Sequence, residues 1–400
     1  MTKIKIIKDK FMQNIKKLAL ISVLPLMFSK IVLAEGSVSS VNEKPQQINQ
    51  QRHIQDPNIL AEEYFNIGRS LYKLGKYKKA IKNYDLAIKY KTDCAKCYNN
   101  KGRALNELAN HQEAITNYDL AIKYDIDFAE AYNNKGVSYK KLGKYQEAIR
   151  LYNIAIKYKP SFAEAYNNKG DTLNSLGKYQ EAIENFDLAL KYAPRYPEAY
   201  YNKGISLINL GQHQEAIKNY DISLKYKPDY ANAYYNKATS LMQLGKYQEA
   251  IKNFDSVIKY QCDNEDAYNL KGCIFSILGK QQEAIKNYDL AIKYKPNFAA
   301  AYCNKGTSFR KLGKYQDAIK SYDLAIKYKS DYAESYLEKG IVLVNLGKYK
   351  EAKENFNLAF KYKSNLIEEY EAIIKALRQL GNDLMANEFE EKLKIIKNNL

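Results

Sequence analysis

Residues 129–162 read AEAYNNKGVSYKKLGKYQEAIRLYNIAIKYKPSF. Tyr132, Gly136, Tyr139 and Leu142 recur at intervals of three or four and trace one face of a helix. Leu142-Gly143 ends it, because glycine takes the left-handed conformation that stops a helix. A second stripe follows at Tyr145, Ala148, Ile149, Tyr152, Ala155 and Ile156, and Pro160 blocks its continuation. The stretch is a helical hairpin. Asp127 and Ser161, each followed three residues later by Glu130 or Glu164, have the spacing that caps the first helix of a hairpin.

The same hairpin is written nine times. Glycine recurs at 68, 102, 136, 170, 204, 272, 306 and 340, always in steps of 34 or 68, with Ala238 filling the gap. Tyrosine keeps the same phase from Tyr64 to Tyr370, and alanine from Ala80 to Ala352. The repeats cover 61–94, 95–128, 129–162, 163–196, 197–230, 231–264, 265–298, 299–332 and 333–366. Residues 367–400 form a degenerate tenth copy that keeps Tyr370 and Ala386 and ends in charge, as a solvating cap requires. One hairpin cannot bury both faces, so neighbouring copies must stack.

Numbered 1–34 within a copy, the pattern is an aromatic at 4, Gly or Ala at 8, Tyr at 11 in the third copy, Ala at 20, an aromatic at 24, Ala at 27 and often Pro at 32. The third copy supplies Tyr132, Gly136, Tyr139, Ala148, Tyr152, Ala155 and Pro160. This resembles the tetratricopeptide repeat (TPR) family, and the resemblance implies an all-α fold: an α-solenoid whose helix-turn-helix repeats wind into a right-handed superhelix. One departure is uniform. Position 7 is Lys in eight copies and Ile67 in the first, where the family prefers Leu; a lysine stem can lie along the hairpin and reach water.

The 400-residue chain carries 63 Lys+Arg against 45 Asp+Glu. Residues 1–34 run from lysine-rich to apolar (Leu18–Phe28) to small residues before Ala34, the order of a secretory signal peptide. An uncleaved anchor is the alternative reading. Removing the seven Lys and one Asp of this segment leaves a net charge of about +12, which favours acidic partners or anionic surfaces. Export to a bacterial periplasm or beyond makes nucleic acid an unsuitable target. Residues 35–60 read as a flexible linker.

Positions 2, 6, 9 and 13 of the first helix lie away from the 4-8-11 stripe, and the family resemblance makes this face the concave, ligand-binding groove. Position 6 is Asn66, Asn100, Asn134, Asn168, Asn202, Asn236 and Asn304, with Leu270 and Glu338 as exceptions. A carboxamide offers a donor and an acceptor, enough to grip a peptide backbone without reading its sequence. The row resembles the asparagine ladders of the TPR arm of the O-linked N-acetylglucosamine transferase and of armadillo proteins. Inheritance by duplication is the alternative reading, since Lys at position 29 is repeated in all nine copies. Position 9 varies instead: Arg69, Arg103, Val137, Asp171, Ile205, Thr239, Cys273, Thr307 and Ile341. No copy has Lys at position 5 or Arg at position 6, which argues against a co-chaperone-type carboxylate clamp.

Cys94 and Cys97 form a CxxC but fall on positions expected to pack, and Cys273 and Cys303 lie on adjacent first helices. No His, Asp, Glu or Cys run has metal-ligand spacing, and no Gly-rich phosphate loop is present. The expectation is a non-enzymatic scaffold without cofactor or metal. It binds a protein or peptide in its groove and touches no membrane beyond its signal peptide. An envelope or secretion-machinery assembly factor acting through its basic surface is the alternative.

Overall fold

The computed structural model describes residues 56–379 and 383–399. The expected signal peptide and residues 35–55 of the expected linker lie outside them. The described residues contain twenty helices and no strand. They fall into two compact halves, divided between Pro228 and Asp229.

In the N-terminal half, first helices α1 (Pro57–Lys73), α3 (Ala95–Glu107), α5 (Ala129–Lys141), α7 (Ala163–Ser175) and α9 (Pro197–Asn209) alternate with second helices α2 (Tyr77–Tyr90), α4 (His111–Tyr124), α6 (Tyr145–Tyr158), α8 (Tyr179–Tyr192) and α10 (His213–Tyr226). The C-terminal half continues the alternation: α11 (Ala231–Gln243), α12 (Tyr247–Tyr260), α13 (Glu265–Ile277), α14 (Gln281–Tyr294), α15 (Ala299–Lys311), α16 (Tyr315–Tyr328), α17 (Ala333–Asn345) and α18 (Tyr349–Tyr362). It ends with α19 (Leu366–Gln379) and α20 (Asp383–Asn398), the degenerate tenth hairpin. α1 begins at Pro57, so the last four residues assigned to the linker are helical. Each half is an α-solenoid of stacked hairpins.

The glycine at position 8 sets how closely the two helices of a hairpin approach. A Cβ on Gly136 would lie 2.6 Å from the ring of Tyr152, which is fully buried. The turn after the first helix requires positive φ: Gly143 sits at 74° and Ala109 at 60°, the one described non-glycine there. In the second helix, Ala148, Leu151, Tyr152 and Ala155 are the buried residues of α6.

Two expectations are corrected. Asp127 and Ser161 do not cap the next helix. The N-cap is the following residue, Phe128 or Phe162, and neither makes a side-chain cap bond. A side chain caps where position 34 is polar, Asn264 accepting from the Ala267 N–H at 2.8 Å and the Cys94 sulfur from the Cys97 N–H at 3.3 Å, and at the head of α1, where Asp56 accepts from the Asn58 N–H at 2.8 Å. The buried stripe of the first helix keeps positions 8 and 11 of the expected 4-8-11-14 face, position 11 being buried at Leu105, Leu173, Leu207, Leu241 and Leu343, and adds positions 3, 5 and 10. In α5 the buried residues are Ala129, Ala131, Asn133, Gly136 and Ser138. Position 14 is exposed at Leu74, Leu142, Leu210 and Leu244 and half-buried in the other repeats. Tyr132 is half-buried and stacks at 5.6 Å on Tyr158. The equivalent Tyr–Tyr pair recurs in all nine repeats, closing the hairpin's edge rather than filling its centre.

Cys94 and Cys97 are joined in a disulfide, with Cys97 packed against Phe65, Tyr84 and Ala87. Cys262, Cys273 and Cys303 are free.

The uniform lysine at position 7 has a specific partner. Lys101, Lys135 and Lys203 reach Asp85, Asp119 and Asp187 of the preceding repeat, and Lys271, Lys305 and Lys339 reach Asp255, Asp289 and Asp323, at 2.5–2.7 Å. Lys169 is the informative exception. The residue 16 before it is Asn153, and burial pushes its pKa down.

A candidate protein-interaction face

The asparagine row sits on the first helices, half-buried at Asn100, Asn134, Asn168, Asn202, Asn236 and Asn304 and exposed at Asn66. It does not stand alone. Asn134 Nδ2 donates to Asn99 Oδ1 at 2.9 Å, Asn168 to Asn133 at 3.0 Å and Asn202 to Asn167 at 3.1 Å. In the C-terminal half Asn304 donates likewise to Asn269 at 3.0 Å. Each acceptor occupies position 5 of the preceding repeat and is buried, from 0% exposed at Asn269 to 6% at Asn167. Asn133 also donates to Glu164 of the following repeat, at 3.3 Å.

Every repeat with Asn at position 5 is followed by one with Asn at position 6, and every such pair is bonded. A buried carboxamide needs partners, and this cross-repeat bond supplies one. It also fixes the rotamer of the outer asparagine. Among the described residues the Oδ1 atoms of Asn134, Asn168, Asn202 and Asn304 accept nothing, so each stays open to a donor from outside. Elsewhere the row is held locally: Asn66 donates to Glu62 Oε1 and Asn100 to the Lys96 carbonyl. In the sequence the position-5 asparagines have one signal, the recurrence of Asn-Asn pairs at 99–100, 133–134 and 167–168.

Beneath this layer, buried hydroxyls stitch repeats together. Ser138 Oγ donates to Asn106 Oδ1 at 2.9 Å and Ser206 Oγ to Asn174 Oδ1 at 2.7 Å. His111 Nδ1 lies 2.7 Å from the same Asn106 oxygen.

Position 9 is diverse. Arg69 and Arg103 are exposed, Asp171 pairs with Lys140, and Ile341 is buried. The Cys273 sulfur accepts from Asn304 Nδ2 at 3.4 Å, and Thr307 Oγ1 lies 3.3 Å from the Tyr322 hydroxyl.

Both exceptions in the asparagine row are buried residues. Leu270 is 5% exposed. Glu338 bonds Arg310 at 3.1 Å and Lys392 at 2.6 Å, so α20 lies against α17. Leu337, Ile341, Leu393 and Ile396 join the same apolar cluster. Burial alone would raise the Glu338 pKa, but the adjacent Lys392 and Arg310 outweigh it and hold the carboxyl at about 2.

Among the described residues no group of three or more His, Cys, Asp and Glu is arranged to hold a metal ion. No described helix is long and apolar enough to cross a membrane.

Tetratricopeptide-repeat family models match residues 61–94, 102–143, 133–200, 201–267, 272–309, 306–347 and 333–366. No curated protein matches the chain. Among solved structures, the TPR protein YrrB is 22% identical over 46% of this chain and 95% of its own, with a TM-score of 0.41. MamA is 25% identical over 41% of this chain and 96% of its own, with a TM-score of 0.40. A tetratricopeptide repeat protein from Parabacteroides merdae is 19% identical over 62% of this chain and 98% of its own, with a TM-score of 0.49. The family matches span most of the nine copies read from the 34-residue period, and the chain belongs to the tetratricopeptide repeat family, as a scaffold for protein–protein interaction.

Proposed function

We propose that this scaffold is exported and binds an extended segment of a protein partner along its first-helix face, without catalysis. The observation that carries the reading is the set of asparagines held by the repeat before them, each with a free carbonyl oxygen. A pre-oriented acceptor loses little freedom when a peptide N–H docks on it, so more of the bond survives as affinity. The basic-apolar-small order of residues 1–34 supports export.

Capture of the partner from the native source tests the face. Replacing Asn134, Asn168 and Asn202 together by Ala is expected to abolish capture. Reversing exposed second-helix charges (Lys157, Lys191 and Lys225 to Glu) should leave it intact. The opposite pattern would favour an envelope-assembly factor working through its basic surface, a reading supported by the excess of Lys and Arg over Asp and Glu. N-terminal sequencing of the protein from its source tests export; a chain still starting at Met1 counts against it.

A further inference from the structure

The first-helix face of the N-terminal half is not electrically uniform. On α1 and α3, positions 9 and 13 carry Arg69, Lys73, Arg103 and Glu107, with Glu62 and Lys96 at position 2. On α7 and α9 the same positions carry Asp171, Ser175, Ile205 and Asn209, and Glu164 and Glu198 stand at position 2. Both arginines are exposed, and neither has a carboxylate partner among the described residues. Each is instead laid against an aromatic ring: the Arg103 guanidinium 4.9 Å from the centre of Tyr72, that of Arg69 5.7 Å from Phe65. A guanidinium held against a ring face keeps N–H donors free for a planar anion. Tyr72, whose hydroxyl donates to Glu107 at 3.1 Å, is thereby fixed under Arg103. The Tyr84 hydroxyl, buried and without a partner among the described residues, lies within the electrostatic reach of both arginines.

We propose that Arg69 and Arg103 receive successive carboxylates of the bound protein segment, so that repeats 1 and 2 select an acidic stretch. The inference rests on the reading of this face as the binding surface, and names the chemistry of what binds there. Neighbouring packed helices lie about 10 Å apart. An extended chain advances about 3.3 Å per residue. The two acids therefore stand about three residues apart.

Anisotropy titrations of the full chain with labelled 15-residue peptides test this. One peptide carries Glu at every third position in a Ser/Thr/Val background, one carries Lys there, and one is neutral. The Glu peptide is expected to bind best, and R69A/R103A to weaken it about tenfold or more while leaving the neutral peptide unchanged. R69K/R103K, which keeps charge but loses the planar fork, should recover only part of the loss. Arg150→Ala, on the second helix α6, should change nothing. An unchanged Glu-to-neutral ratio in R69A/R103A overturns the proposal, as does failure of the Glu peptide to bind. Equal competition by pyrophosphate and by unlabelled Glu peptide also overturns it, because a bare anion site would then suffice. The Asn134/Asn168/Asn202→Ala chain separates the two readings. If it binds every peptide normally, the backbone grip fails, whereas the arginine assignment is judged by the charge ratio alone.

Discussion

Lys101 reaches back to Asp85 of the preceding repeat, its ammonium 2.7 Å from the carboxylate and its side chain only 19% exposed. The ion pair spans two repeats, so it stabilises their stacking rather than either hairpin. Lys169 is the one position where the pattern breaks inside the array, with Asn153 in place of the acid. Burial lowers its pKa, the mark of an ammonium short of a counter-charge. Asn153→Asp should complete the series. The aspartate is expected to be about half exposed, as Asp119 is (54%), so the gain is small, about 0.5 kcal/mol. Thermal melts in low and high salt check it: the variant should melt higher, and the difference should shrink with salt.

The close approach at position 8 is testable at Gly170, where a Cβ would sit 2.7 Å from the Phe186 ring. Gly170→Leu cannot fit without forcing the hairpin open, and should cost about 3 kcal/mol or more. Gly170→Ala is milder. Repeat 6 carries Ala238 at this position with Phe254 opposite, both fully buried, so the fold has a solution for one methyl. Chemical denaturation of the two variants should separate them clearly, and equal stability would mean the ring can swing away freely.

The turn after the first helix gives a prediction of opposite sign. Ala109 holds φ at 60° where other repeats have glycine. A Cβ in that region costs about 1–2 kcal/mol, partly offset by the larger entropy glycine loses on folding. Ala109→Gly should therefore stabilise the chain by about 0.5–1 kcal/mol, read as a higher midpoint in urea. A lower midpoint would show that the methyl group contributes packing that outweighs the strain.

What was legible in the sequence was whatever repeats within one hairpin. Gly136, Ala148 and Tyr152 declare their contact because each recurs every 34 residues and the steric reason is local. What was missed lies between hairpins. Asp85 and Lys101 are 16 residues apart, a spacing that matches neither helical nor strand periodicity, and the pairing shows only through its exceptions. Ile67 has no repeat before it, and Asn357 is followed 16 residues later by Ile373. Asp127 and Ser161 failed as caps because the chain enters the helix one residue later, at an aromatic that packs instead. The asparagine row was visible, but not its footing: a buried Asn133 reads in sequence as one more polar residue on a helix.

That footing can be separated from the row it supports. Asn167 is buried and accepts from Asn202. Leu occupies the equivalent position at Leu337, so Asn167→Leu should fold with a stability change within about 1 kcal/mol. Asn202 would keep its chemistry and lose its orientation. Affinity for the captured partner should fall, and the Asn167→Leu/Asn202→Ala double variant should bind no worse than Asn202→Ala alone. Additive losses in this cycle would mean that Asn167 acts on binding by some route other than Asn202.

The last prediction concerns acid. Glu338 is buried between Arg310 and Lys392 and ties α20 to α15 and α17. Its carboxyl is held at about 2, below the usual value of 4.5. A depressed carboxylate contributes stability that is complete above the unfolded-state pKa and is lost as pH falls through the folded-state pKa. The C-terminal half should therefore weaken progressively between about pH 5 and pH 2. Glu338→Gln removes this dependence and leaves Arg310 and Lys392 less well paired, so it should lower stability at pH 7 by about 2–3 kcal/mol while flattening the acid limb. Lys392→Met should lower stability at pH 7 as well, yet keep part of the acid slope because Arg310 remains beside Glu338. Hydrogen exchange resolved along the chain is the suitable measurement, since it reads α17 and α20 separately from the N-terminal repeats. An acid slope in the Glu338→Gln chain equal to that of the parent would place the titrating group elsewhere.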